Sequence, residues 1–249
     1  MHSMKGVILA GGTGTRLGAL TKVTNKHLLP VYDEPMINFP IRTLTSAGID
    51  NIMIVTDKRK AGDFMRYLGD GRDFGAHFTY GLQESAAGIA DALSVAENFV
   101  SGDDITVILG DNIILGNLKL LNGPINGCTL YLKRVPDGRR FGIATIDENG
   151  KISDIREKPQ ETGNAFAVTG LYQYSQDVFD TLKRIKPSWR GELEITDVNR
   201  HFVSEGTATY RILKNPWIDA GTVTSLFQAS RMVKEHKRKK GNSEAVPSL

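Results

Sequence analysis

The hydrophobic positions follow one rhythm in the first half of the chain and another in the second. Short apolar runs at 6–10, 51–55, 77–80 and 105–109 alternate with stretches of helical spacing. Unbroken runs of this length, bounded by turn residues, suit strands covered on both faces. Between the first two runs, Ile37, Ile41 and Leu44 recur at the spacing of a helix face, and Gly48 stands where a C-terminal cap belongs. Pro40 lies inside that pattern and predicts a kink or a broken first turn. Ile89, Leu93 and Ala96, following Gly88, predict a further helix. Strand and helix in alternation imply βαβ units around a mainly parallel sheet.

Beyond residue 127 the pattern changes to strand-like runs at 128–135, 142–146 and 152–157, the last two joined by the turn Asp147-Glu148-Asn149-Gly150. This stretch predicts a smaller, more irregular subregion inserted beside the sheet. A strand over 165–174, a helix over 192–203, a strand over 207–213 and a closing helix from Thr222 finish the pattern.

Composition narrows the class without changing it. With 249 residues, 40% hydrophobic and 24% charged, the chain can bury a sizeable core and has the balance of an ordinary globular protein. It reads as one domain over 4–233, since no Pro-, Gly- or Ser-rich linker and no repeat divides it. Met1-His2-Ser3 reads as a vector-derived leader before a natural start at Met4. The run Lys234 to Lys240 opens a basic, flexible tail over 234–249, expected to be solvated. A formal net charge of +3 gives no general case for a nucleic-acid partner. No apolar run approaches the roughly 20 residues of a membrane span, and Cys128 is the only cysteine. A reducing, cytoplasmic setting is expected, with Cys128 acting as a small buried hydrophobe.

The candidate chemistry begins directly after the first strand, in Leu9-Ala10-Gly11-Gly12-Thr13-Gly14-Thr15-Arg16-Leu17. Glycines let backbone N–H groups approach phosphate oxygens and form a nest for an anion, and Arg16 adds a forked charge that can bridge two phosphates. No Gly-Lys-Ser/Thr follows, so this is not a Walker A loop, and Gly12-x-Gly14 lacks the third glycine of a dinucleotide fingerprint. Lys26, taken alone, reads either as a surface lysine or as a charge turned back toward the loop. Asp111 follows the strand at 105–109, so its carboxylate should emerge at the carboxyl end of the sheet, where open α/β folds place ligands. There it can hold Mg²⁺, although a lone Gly-Asp-Asn also reads as a turn. The five histidines show neither metal spacing nor a triad partner.

Gly-Gly-x-Gly-Thr-Arg-Leu followed by Lys26-His27-Leu28-Leu29-Pro30-Val31 resembles the opening of the sugar nucleotidyltransferases, or sugar-1-phosphate pyrophosphorylases. Leu109-Gly110-Asp111-Asn112, Arg156-Glu157-Lys158-Pro159, Ala167-Val168-Thr169-Gly170-Leu171-Tyr172, Gly191-Glu192-Leu193-Glu194-Ile195-Thr196-Asp197 and Trp217-Ile218-Asp219-Ala220-Gly221-Thr222 follow in family order. The likeness runs from Lys5 to about Met232 and is strongest toward the short glucose-1-phosphate thymidylyltransferases. It implies a single Rossmann-like α/β domain of the nucleotide-diphospho-sugar transferase type, with a mixed, mainly parallel sheet flanked by helices and a smaller sugar-binding subregion.

The resemblance also implies roles. Leu9 to Thr15, meaning Leu9, Ala10, Gly11, Gly12, Thr13, Gly14 and Thr15, would hold the nucleotide, with Gln83 and Gly88 at its base. Arg16 and Lys26 would meet the triphosphate and Lys158 the sugar phosphate. Leu109, Asn112, Gly142, Glu157 and Val168 would hold the sugar, and Asp111 with Asp219 would bind Mg²⁺. The stretch 192–199 would support the site. Alternation along a strand would turn Glu157 and Lys158 to opposite faces. Ala86-Ala87 and Phe141 depart from the family pattern beside the base and the sugar. The activity implied is Mg²⁺-dependent transfer from dTTP to α-D-glucose 1-phosphate by a homo-oligomer, with UTP or another triphosphate as the alternative. A catalytically silent sugar-nucleotide sensor is the rival reading, since a fold alone does not specify an activity.

Overall fold

Strand β1 (Met4–Ala10) carries its apolar residues without interruption, and Val7, Ile8 and Ala10 are fully buried. A strand covered on both faces requires such a run. The computed structural model describes residues 4–84, 87–160, 163–188 and 191–244, the last four of these as backbone. After β1 come helix α1 (Leu20–Val23), the short strands β2 (Pro30–Val31) and β3 (Glu34–Pro35), and helix α2 (Asn38–Thr45). Strand β4 (Asn51–Asp57), helix α3 (Ala61–Leu68), strand β5 (His77–Gln83), helices α4 (Ile89–Ser94) and α5 (Glu97–Val100), and strand β6 (Asp104–Leu109) follow. The long strands pair in the order β6-β1-β4-β5 and all run parallel, as the alternation predicts. Pro40 sits in the first turn of α2, where its missing N–H had no helical partner to lose, so the helix begins there instead of kinking.

The second half adds β7 (Asn112–Ile114), β8 (Cys128–Val135), β9 (Gly142–Ile146), β10 (Ile152–Glu157) and β11 (Ala165–Tyr174). Helices α6 (Val178–Leu182) and α7 (Ile195–Ser204), strands β12 (Ala208–Ile212) and β13 (Trp217–Asp219), and helix α8 (Val223–Glu244) complete the chain. Among the described residues, nine strands share one sheet, and β11 joins its parallel half to the later strands. One edge of β11 lies antiparallel along β8. The other edge is divided: Phe166 and Ala167 pair with β9, while residues 171–174 pair with β6. The register on β8 slips between Val168 and Tyr172, a bulge that lets the strand change neighbours. The sheet forks at this point; of the 128–157 stretch expected as a subregion beside the sheet, β8 lies within the sheet, and only β9 and β10 form an arm, itself continuous with it.

Asn112 fills the fork. Only 1% exposed, it accepts the Gly170 N–H at 2.9 Å and the Trp217 Nε1–H at 2.7 Å on one oxygen. Strand β13 pairs antiparallel with β7, setting Asp219 opposite Asn112, and the Ala220 N–H closes on the Asp111 carbonyl at 2.9 Å. Apolar clusters cover both sheet faces, Val7, Val55, Val107 and Leu130 on one and Ile8, Ile52, Ile54 and Phe64 on the other. Residues 234–244 continue α8, and those of 234–240 are mostly exposed. There Lys237 Nζ lies 2.8 Å from Asp33 Oδ1 and 3.2 Å from Glu34 Oε1, fastening the helix to the β2–β3 turn.

A Cβ on Gly170 would come within 2.6 Å of Asn112 Nδ2 and 2.7 Å of Leu109 Cγ. Gly170→Ala is therefore expected to destabilise the fold by about 1–3 kcal/mol, the usual cost of overpacking a buried site, read from the urea unfolding midpoint.

Candidate active site

The chain leaves β1 at Ala10 and turns through the glycine loop across the carboxyl end of the sheet. Gly14 has φ +72°, a left-handed conformation, and a Cβ there would meet Thr21 Cγ2 at 2.7 Å. Leu17, buried, donates its N–H to the Gly14 carbonyl at 2.9 Å and so holds Arg16 within a single 3-10 turn. Lys26 does turn back to this loop: a Cβ on Gly12 would lie 3.2 Å from its Nζ. The same Nζ pairs with Asp111 Oδ2 at 2.6 Å. The neighbouring His27 is buried, and Asn25 Oδ1 faces its Nδ1 at 2.8 Å. Burial first, then the Lys26 charge, press the imidazole down to about 3, so the ring is neutral.

Asp111 and Asp219 meet across the β7–β13 ribbon. A Cβ on Gly221 would lie 2.8 Å from Arg16 Nη2, 3.0 Å from Asp219 Oδ1 and 3.3 Å from Asp111 Oδ2, so the three side chains converge on one small volume. Their carboxyls move apart in acidity. Burial would raise Asp111, but the Lys26 ammonium and hydrogen bonds from Lys26 and Asn112 outweigh it and hold it well below the usual carboxylate range. Asp219 is raised by burial and by the charge of Asp111, with partial relief from the Gly221 N–H, Lys26 and Arg140. Two carboxylates confined together favour a cation between them. Among the described residues no third His, Cys, Asp or Glu joins them. An all-oxygen pair of this kind fits Mg²⁺, which commonly completes its shell with water and phosphate oxygens.

On the opposite wall, Glu157 ends β10. Its Oε2 accepts the Thr196 hydroxyl at 2.5 Å, and its Oε1 pairs with Lys158 Nζ at 2.9 Å. The expected opposition of Glu157 and Lys158 is wrong. Lys158 lies one residue past the strand with φ +42°, so strand alternation no longer applies, and both side chains line the same cavity. Gly142 opens room beside them, since a Cβ there would stand 3.4 Å from Glu157 Oε2. Phe141 packs on Trp217 with ring centroids 5.2 Å apart.

At the far end, Gln83 is 5% exposed, and its Nε2 donates to Asp91 Oδ2 at 2.8 Å and to the Gly88 carbonyl at 3.3 Å. Gly88 has φ +116°, and a Cβ there would strike the Leu193 carbonyl at 2.4 Å, so glycine is what lets α4 start against residue 193. Of the Ala86-Ala87 pair, Ala86 lies outside the described residues, and the Ala87 carbonyl accepts the Leu193 N–H at 2.8 Å.

One cavity of about 690 Å³ gathers these groups, a size suited to a small-molecule substrate. Every residue given a catalytic, binding or metal role from the sequence lines it except Ala10, whose side chain lies in the core while its carbonyl faces Thr56 and Asn25. Asn112 reaches the cavity mainly as a buried strut. Sequence reasoning missed Arg140, whose Nη2 donates to Asp219 Oδ1 at 3.0 Å, along with Asp91, Thr196 and the cavity-lining Tyr172. Thr196 and Tyr172 stood within motifs already noted. Arg140 gave no local signal, since its partner is 79 positions away.

A forked α/β sheet whose one cleft gathers a cationic glycine loop, an acid pair and a carboxylate beside a lysine fits a nucleotidyltransferase. Residues 5–236 match the Nucleotidyl transferase family model, and the chain belongs to that family. Glucose-1-phosphate thymidylyltransferases are among its relatives. One from Neisseria meningitidis is 42% identical, the match covering 92% of this chain and 82% of that protein. One from Xanthomonas campestris is 39% identical over 99% of this chain and 86% of its own length. A Bacillus anthracis structure assigned to the same class and solved with sucrose superposes with a TM-score of 0.86 at 46% identity, covering 93% of this chain and 96% of that one.

The neutral, buried His27 links stability to pH. An unfolded histidine takes its proton near pH 6.5, whereas in the fold it does so only at about 3. Between those values the unfolded chain binds more protons, so stability falls as pH drops through the window and is unaffected above it. The loss of urea midpoint from pH 7 to pH 5 is expected to be smaller in His27→Gln than in the unmodified chain.

Proposed function

We propose that the cavity joins dTTP to α-D-glucose 1-phosphate, giving dTDP-glucose and pyrophosphate. The observation that carries this is the order of groups along a single cleft: a cationic glycine loop, then a buried acid pair, then a carboxylate and a lysine beside open space. The names borne by the relatives support the choice of base and sugar. Arg16 and Lys26 hold the triphosphate, Lys158 meets the acceptor phosphate, and Glu157, kept in place by Thr196, accepts hydrogen bonds from sugar hydroxyls. Asp111 and Asp219 are the residues that would hold Mg²⁺, which when bound neutralises charge on the phosphates.

An oxygen of the sugar 1-phosphate attacks the α-phosphorus, the bond from that phosphorus to the bridging oxygen breaks, and pyrophosphate departs with the electron pair. The attacking oxygen is already anionic, so the chain need supply no general base. Its contribution is alignment and charge. Cys128, buried with its thiol pushed up to about 12, serves as a small core hydrophobe and takes no part in the chemistry.

Pyrophosphate release over a panel of triphosphates and sugar 1-phosphates tests the assignment, with dTTP and glucose 1-phosphate expected to give the highest kcat/KM. Nucleotide binding without release would overturn it. Arg16→Ala is expected to lower kcat/KM on the order of 10²-fold, the scale of removing one charge stabiliser. Chelation with EDTA is expected to abolish turnover, and added Mg²⁺ to restore it.

A further inference from the structure

Gln83 closes β5 with its amide at the cavity wall beside the glycine loop. Both hydrogens of Nε2 are engaged, one by Asp91 Oδ2 and the other by the Gly88 carbonyl. A carboxylate and a carbonyl can only accept. Turning the amide over would set its oxygen against two acceptors and leave its nitrogen without either bond. Oε1 is therefore kept on the side of Gly11, where a Cβ would come within 2.4 Å of it. Asp91 stands in the first turn of α4, behind the glutamine, and is not among the residues lining the cavity.

A glutamine free to rotate presents a donor or an acceptor as the ligand demands. This one presents an acceptor. We infer that Asp91 is a positioning residue that sets the base specificity of the cleft, holding Gln83 so that it takes a base with a ring N–H, thymine or uracil, and refuses cytosine. Cytosine carries a lone pair at the equivalent nitrogen, so two acceptors would face each other with no proton between them, and such an unpaired buried contact is strongly disfavoured. The inference rests on the transfer reading, which seats the nucleotide with its phosphates on the glycine loop and its base toward Gln83.

The test compares dTTP with dCTP, both as kcat/KM for pyrophosphate release and as Kd by calorimetry. A chain that binds without release would fail the transfer reading and still report on the base. The unmodified protein is expected to favour dTTP at least tenfold. In Asp91→Ala that ratio is expected to collapse at least tenfold, with the loss for dTTP falling on KM more than on kcat. Asp91→Asn, nearly isosteric and still able to accept through its Oδ1, is expected to lie between the two. Gln83→Ala is expected to give the same collapsed ratio, and the double variant to add nothing further. A ratio within twofold of the original in both Asp91 variants, with Gln83→Ala collapsing it, would overturn the role of Asp91 alone. An unchanged ratio in Gln83→Ala would remove the base from this wall, and the inference with it.

Discussion

The fork in the sheet is the constraint on which the cleft depends, and one buried amide holds it open. Strand β11 cannot pair with β6 and β9 at the same level, so its backbone bulges at residues 169–171 and leaves an N–H facing inward. Asn112 takes up that donor and the Trp217 indole together, while its nitrogen reaches Asp111 Oδ1 at 3.3 Å. A buried polar group bonded in this way ties the β7–β13 ribbon to β11, with which it shares no ladder. The position of Asp111, the arrival of β13 and the separation of the two halves of the cleft all follow from it.

Charge in the cleft is arranged with comparable economy. The Lys26 ammonium serves two elements at once, standing over Gly12 and pairing with Asp111. Removing one partner of a buried pair leaves an uncompensated charge, which costs far more than the pair contributes. Neutral His27 beneath it avoids a second positive charge at the same depth. Arg140 then meets Asp219 from the more exposed side, stacked on the Phe141 ring. Each acid thus has its own base, and Asp111, Asp219 and Arg16 still converge beside Gly221.

Much of this was legible in the sequence, for identifiable reasons. The parallel strands announced themselves because burial on both faces demands continuous apolar runs, and the site residues did so because glycine spacing and the later motifs occur in family order. Elements whose form depends on distant partners did not. Helix α7 starts at Ile195 instead of 192 because Leu193 is engaged by the Ala87 carbonyl and the Ala90 N–H, a contact no local pattern encodes. The positive φ of Lys158, the bulge in β11 and the bond from Asp91 to Gln83 likewise arise from tertiary contacts.

The β7–β13 ribbon has a consequence for how the protein comes into being. The glycine loop, Lys26 and Asp111 all leave the ribosome well before Asp219, and domains fold progressively as the chain emerges. A nascent polypeptide halted before β13 would have its glycine loop yet lack the second acid. The two halves of the acid pair thus record whether synthesis has passed β13, and a chain interrupted before that strand is left without the assembled pair.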